Sequence, residues 1–272
     1  MSDEAPDTVD EPFGAGTAWT GEARRLLERA IERHGGWDAW RRFGGLSIVP
    51  ASLTGLVPRT KGVGETFRVP PRIDVWPRRG VVMFHDYPAP GRRGVYSSGQ
   101  VQLLDGDTIL EARSQPRASF AGLRKHRRWS PSDALYFFGY SLAHYHSLPF
   151  SLTEARPLGL TRARSAGRRL TGVRVELPAS LHTHCRRQTF FFDDEGLLRR
   201  HDYVADIIGW WARGAHRWED FVELSGLPIA RRRHVVARLG RLEVPAAVAL
   251  HAELKEVSLL RDPNAGPRLR LV

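Results

Sequence analysis

Between residues 46 and 113 the chain offers one short apolar run after another, punctuated by turn residues and never interrupted by a helical stretch. The runs are 46–56, 64–69, 72–77, 80–87, 94–98, 101–104 and 108–112, and the breaks carry Pro70-Pro71, Pro77, Pro88-Ala89-Pro90-Gly91, Ser98-Gly99 and Asp105-Gly106-Asp107. A parallel pair needs a crossover of a dozen or more residues, and these connections are far too short for one. The segment therefore predicts an antiparallel meander.

A second meander is expected after residue 168. The stretch 168–177 alternates through Leu170, Val173, Val175 and Leu177. A hairpin follows over 181–203, turning at Asp193-Asp194-Glu195-Gly196. Residues 210–218 and 221–223 read as a further hairpin, 228–237 as the next strand and 248–260 as a closing strand.

Two helical patterns accompany the strands. Ala23, Leu26, Leu27, Ala30 and Ile31 recur at helical spacing opposite a charged face, and Gly35-Gly36 stops them. Between the meanders, Ser130-Pro131 is a helix start, and residues 133–148 are apolar almost all round, with Leu135, Tyr136, Phe137, Phe138, Tyr140, Leu142, Tyr145 and Leu148. A short helix without a polar face needs burial on more than one side. The fold class expected is α+β, mainly β: an open antiparallel half-barrel with helices covering its concave face.

A chain of 272 residues suits one such domain, placed at 20–272, behind an acidic, Pro/Gly-rich tail at 1–19 expected to be disordered. Net charge is +11, yet the arginines are scattered and no helix-turn-helix, RNA-recognition or zinc-finger pattern occurs, so nucleic acid is not an expected partner. Cys185 is the single cysteine, which excludes an internal disulfide and a multi-cysteine zinc site. No run reaches the roughly 20 apolar residues of a membrane span. The N-terminal residues lack the basic and apolar regions of a secretory signal, so a cytoplasmic location is expected, with membrane-surface contact allowed.

The leading helix ending in His34-Gly35-Gly36-Trp37, the central helix at 133–148 and the hairpin Phe192-Asp193-Asp194-Glu195-Gly196-Leu197-Leu198-Arg199-Arg200-His201-Asp202-Tyr203 together resemble the LolA/LolB lipoprotein-carrier superfamily. The Phe138-Gly139-Tyr140, Tyr145 and Pro149-Phe150 run, with His182-Thr183-His184 and Gln188-Thr189, is similar to an actinobacterial, cytoplasmic branch of that shape. The resemblance spans about residues 21–260. It implies an open barrel around an apolar cavity lidded by helices, and hence a small apolar or amphipathic ligand.

Histidine titrates near neutrality, and a carboxylate beside it orients it and raises its pKa. His201 and Asp202 are accordingly the acid/base pair expected if the cavity carries out chemistry of the cyclase or isomerase type. His182, His184, Tyr203, Asp206, His216, Phe137, Tyr140 and Trp210 are the candidate ligand-binding residues. His182-x-His184 with His201 or Asp202 has the composition of a metal site, but no third ligand is fixed by spacing, and neither metal nor cofactor is expected. Alternation puts His201 and Tyr203 on one face and Arg200 and Asp202 on the other. His201 and Tyr203 are expected inside, and Arg200 at the surface. The function expected is binding of a largely apolar molecule with a polar or acidic end, with the enzyme as the alternative.

Overall fold

The structure, a computed structural model, describes residues 18–64, 68–240, 242–260 and 266–267. Helices α1 (Gly21–Arg33) and α2 (Gly36–Arg42) lead into β1 (Leu46–Thr54) and a short helix α3 (Leu56–Lys61). The first meander continues as β2 (Arg72–Trp76), β3 (Val81–His85), β4 (Arg92–Ser97), β5 (Gln100–Asp105) and β6 (Thr108–Arg113). Helix α4 (Pro131–Ser147) separates it from β7 (Arg156–Ser165), β8 (Arg168–Glu176), β9 (Arg187–Phe192), β10 (Leu198–Val204), β11 (Arg213–Leu224), β12 (Leu227–Leu239) and β13 (Leu242–Leu259).

All thirteen strands join one open antiparallel sheet in the order β6-β5-β4-β3-β2-β1-β13-β12-β11-β10-β9-β8-β7. The two meanders meet where β1 pairs with β13, from Leu46 opposite Leu259 to Thr54 opposite His251. The free edges, β6 and β7, are consecutive in the chain, and α4 is the strap that carries the chain from one to the other. Each half curls round this strap.

Helix α4 starts on a capping box: Ser130 Oγ accepts from the Asp133 amide at 3.2 Å, and Asp133 Oδ2 accepts from the Ser130 amide at 3.0 Å. Leu135, Tyr136 and Tyr140 are buried, each worth about 1.5–3 kcal/mol of apolar burial. The helix comes closest to the sheet at Gly139, where a Cβ would lie 2.5 Å from Tyr96 Cβ. Its other flank meets the second meander, with the Tyr145 ring 4.8 Å from His216 and 5.4 Å from Trp218. The expected helical cover of the concave face is thus α4, which begins at the Ser130-Pro131 start the sequence indicated.

Helices α1 and α2 close one end of the half-barrel. Their linker depends on Gly35, which has φ +97° and would place a Cβ 2.4 Å from the Gly226 carbonyl oxygen. Trp40 stacks on Phe150 with ring centroids 4.5 Å apart. Helix α3 and the 205–212 loop sit at the opposite end.

Several expectations are corrected. Residues 1–17 of the expected tail lie outside the described residues, but Trp19 belongs to the core: it is buried and its Nε1 donates to the Ala155 carbonyl at 2.8 Å. The run at 64–69 is no strand in its described part, because α3 and its Gly62 cap turn the chain there. Residues 213–224 are one strand rather than two arms, since the turn falls at Ser225-Gly226. Strand β7 was not expected at all.

Candidate functional site

Beneath α4, the inner face of β9–β12 carries stacked aromatic and imidazole rings. His201 lies flat on Phe190, centroids 4.5 Å apart, and its Nε2–H donates to Gln188 Oε1. His216 stacks on Trp218 at 5.0 Å. His184, from the loop before β9, stacks on Tyr203 at 4.1 Å. Its two ring nitrogens meet Tyr140 Oη at 2.9 Å and Tyr145 Oη at 2.6 Å. Burial, ahead of repulsion from neighbouring cations and imidazoles, holds His184, His201 and His216 well below the ordinary histidine pKa, and burial alone puts His144 at about 4. These imidazoles are neutral packing elements at physiological pH.

The acid/base expectation for His201 and Asp202 therefore fails on geometry. His201 points inward with no exposure, whereas Asp202 points through the opposite face to Arg200, with Oδ1 2.7 Å from Nε and Oδ2 2.9 Å from Nη2. Two groups on opposite faces of one strand cannot share a substrate. Arg200 itself corrects the expectation of a surface residue: it is 1% exposed. It also donates to Glu243 at 2.6 Å, while Arg217 pairs with Glu243 and Arg238 lies 3.3 Å from Asp202.

A cavity of about 310 Å³, open to water-sized groups, lies at the α3 end. Its walls are mainly apolar: Leu56 and Val57 of α3, Phe137 of α4, Tyr203 of β10, Ile208 and Trp211 of the 205–212 loop, and Val235 and Ala249 of the central strands. Small residues make the room, since Gly214, Ala237, Ala247 and Ala249 face it where larger side chains would fill it. Lys61, His126 and Arg213 supply its polar rim. Lys61 Nζ donates to the Lys125 carbonyl and, at 3.4 Å, to that of Arg127, and burial lowers its pKa. Among the described residues no carboxylate lies within ion-pair distance of these three groups. The rim is electropositive and suits an acidic end group.

Of the candidate ligand-binding residues, Phe137 and Tyr203 line this cavity. Tyr140, His184 and His216 are buried in the ring stack behind it. His182 is set apart from His184, its Nδ1 3.1 Å from Tyr136 Oη. Asp206 is exposed beside Arg117 at 3.8 Å, and Trp210 projects from the surface, 76% exposed. Among the described residues no cluster of three His, Cys, Asp or Glu side chains could hold a metal ion. Burial pushes the Cys185 thiol up to about 11, which disfavours the thiolate. Sequence reasoning missed Lys61, Trp211, Arg213 and the alanines. The one visible signal was the small-residue run Ala246-Ala247 and Ala249.

No protein-family model and no curated protein matches the chain. Solved structures do resemble it, among them the following three. An outer membrane lipoprotein-sorting protein domain from Vibrio parahaemolyticus superposes with a TM-score of 0.50 at 11% identity, over 88% of this chain and 93% of that one. A LolA superfamily protein from Nitrosomonas europaea gives 0.45 at 10% identity, over 89% and 95%. A DUF1329 family protein from Desulfovibrio piger gives 0.48 at 12% identity, over 92% and 96%. Agreement over nearly the whole of both chains at so low an identity is agreement of backbone path, and by that path the chain shares its fold with the Vibrio parahaemolyticus domain.

Proposed function

We propose that this protein binds a largely apolar small molecule or lipid in the cavity between α3, the 205–212 loop and the inner faces of β10–β13, with the ligand's acidic end at Lys61, His126 and Arg213. The observation that carries this reading is the cavity itself: about 310 Å³, walled by apolar side chains and rimmed by Lys61, His126 and Arg213, which among the described residues have no carboxylate partner. Pre-formed apolar cavities of roughly 300–1,000 Å³ with few polar groups are the usual form of a small-molecule site. The fold supports it too, since the similar domain from Vibrio parahaemolyticus is named for lipoprotein sorting.

The mouth also has the character of a lipid-facing surface. Trp210, Trp211 and Leu56 are exposed there, and the 3-10 turn Gly122–His126, which brings His126 to the rim, exposes Leu123 at 84%. The same segment carries Arg124-Lys125-His126-Arg127-Arg128. Aromatic and aliphatic tips beside basic residues favour an anionic membrane surface as the place where the ligand enters. No helix among the described residues is long and apolar enough to cross a membrane.

The test is a titration with a fluorescent fatty acid, read by energy transfer from tryptophan. Saturable one-to-one binding is expected, and Ala249→Trp, which fills the cavity, should abolish it. Absence of saturable binding, or equal binding by the filled variant, would refute the assignment. Native mass spectrometry of the purified protein then identifies any ligand carried along.

A further inference from the structure

Toward the α1 end, in a pocket separate from the apolar cavity, β12 buries an arginine that no carboxylate among the described residues meets. Arg233 stands opposite Trp218 of β11 in the sheet and is 4% exposed. Its guanidinium lies 4.6 Å from the Trp218 ring centroid and 5.3 Å from that of Tyr145. Its hydrogen-bond partner is His146 Nε2, at 2.9 Å. His146 Nδ1 faces the Leu142 carbonyl at 2.9 Å and must carry the ring proton, so Nε2 accepts through its lone pair and the ring brings no negative charge. Among the described residues, Arg233 Nε and Nη1 and the nearby Trp218 Nε1 are buried donors without a protein acceptor.

The contrast with Arg200 is informative. That arginine is equally buried, and the fold surrounds it with Asp202 and Glu243. At Arg233 the fold supplies rings instead. Burial lowers its pKa to about 10, which still leaves it a cation at neutral pH. Aromatic faces attract a cation but cannot accept the in-plane N–H bonds of the guanidinium.

Arg233 and Trp218 line a small cavity of about 20 Å³, shared with Tyr145, His146, His34 and apolar side chains of β11 and β12. It has no lining residue in common with the larger cavity. Its volume suits one water or one monatomic ion.

We propose that this pocket is a binding site for a small monatomic anion of the halide class, chloride foremost, held by Arg233 with the Trp218 indole N–H as a further donor. The anion neutralises a buried cation, accepts the outstanding N–H groups and locks α4, through Tyr145 and His146, to β11 and β12. The site thereby couples the ionic medium to the seating of the strap across the barrel.

Melting temperature is measured on the full chain in sodium chloride, sodium bromide and sodium gluconate at equal ionic strength. A saturable rise with chloride and bromide over gluconate is expected. Arg233→Met should melt at the same temperature in all three salts. Where that variant fails to fold, Trp218→Phe serves in its place, with a weakened halide response. Crystals of the unaltered protein soaked in bromide give an independent reading, in which an anomalous peak within hydrogen-bond distance of Arg233 is expected. Equal melting in chloride and gluconate, or no bromide peak at Arg233, would overturn the proposal whatever the variants do.

Discussion

Tyr145 and His184 are joined by a 2.6 Å hydrogen bond that fastens the plugging helix to the loop ahead of β9. Tyr140 takes the other ring nitrogen. A neutral imidazole offers one donor and one acceptor, so one phenol donates while the other accepts. His184→Ala leaves both phenols without this partner and removes the stack on Tyr203. A loss of about 2–5 kcal/mol is expected, read as a lower urea midpoint. An unchanged midpoint would show that this junction does not hold the helix.

Stability should fall as pH drops from about 6.5 toward 4. His34 and His144 have pKa values of about 4, lowered first by burial, and His146, His184, His201 and His216 lie well below the ordinary value for the same leading cause. In the unfolded chain each takes up a proton near pH 6.5, so that chain binds more protons throughout this window. The stabilisation is complete above 6.5 and is lost on acidification, by about 3 kcal/mol for a histidine displaced from 6.5 to 4. Calorimetry at pH 5 in buffers of different ionisation enthalpy should show proton uptake on unfolding. A melting temperature level from pH 7 to pH 4.5 would contradict neutral burial.

Arg200→Ala should be severely destabilising, against the surface role its sequence position suggested. It takes from Asp202 and Glu243 their most buried partner, contacted at 2.7 and 2.6 Å, and leaves them Arg238 and Arg217 alone. Breaking a buried ion pair on one side costs about 3–5 kcal/mol. Adding Asp202→Asn and Glu243→Gln to the same variant should recover part of the loss in denaturant melts.

Lys61→Met should separate end-group recognition from chain burial. A charge-assisted hydrogen bond is worth about 1.5–3 kcal/mol, so affinity for a fatty acid should fall about 10-fold or more. Affinity for the corresponding alcohol should hardly change. Equal losses for both would place the acidic end elsewhere.

Trp210→Ala with Leu123→Ala should leave the melting temperature nearly unchanged, because both side chains project into solvent. The same variant should bind vesicles containing phosphatidylglycerol more weakly than the unaltered protein, as read by co-sedimentation. Binding that is unaffected would exclude these tips from a membrane contact.

The architecture was legible because its signals are local. Alternation marked β8, and the apolar circumference of residues 133–148 demanded burial on several sides, which α4 receives. Strand β7 escaped notice because Pro157, Gly159 and exposed arginines break its alternation, and as an edge strand it pairs in the sheet with β8 alone. Helix α3 is six residues with a proline inside, too short for a period. The inward face of β10 was read correctly, with His201 and Tyr203 under the helix. The site itself was not: Lys61, Trp211 and Ala249 are far apart in sequence and converge only when the sheet curls. Arg200 was misjudged because its carboxylate Glu243 lies forty-three positions away, where no local pattern reports it.

The pairing of β1 with β13 sets the timetable of folding. On a ribosome, the strand at 46–54 emerges almost two hundred residues before its partner at 242–259. Until then β1 presents a bare hydrogen-bonding edge at what becomes the middle of the sheet. Such distant contacts close slowly, and an unpaired edge is a template for misassembly. Between those two events the nascent chain holds two half-sheets, and it is the arrival of β13 that makes them one molecule.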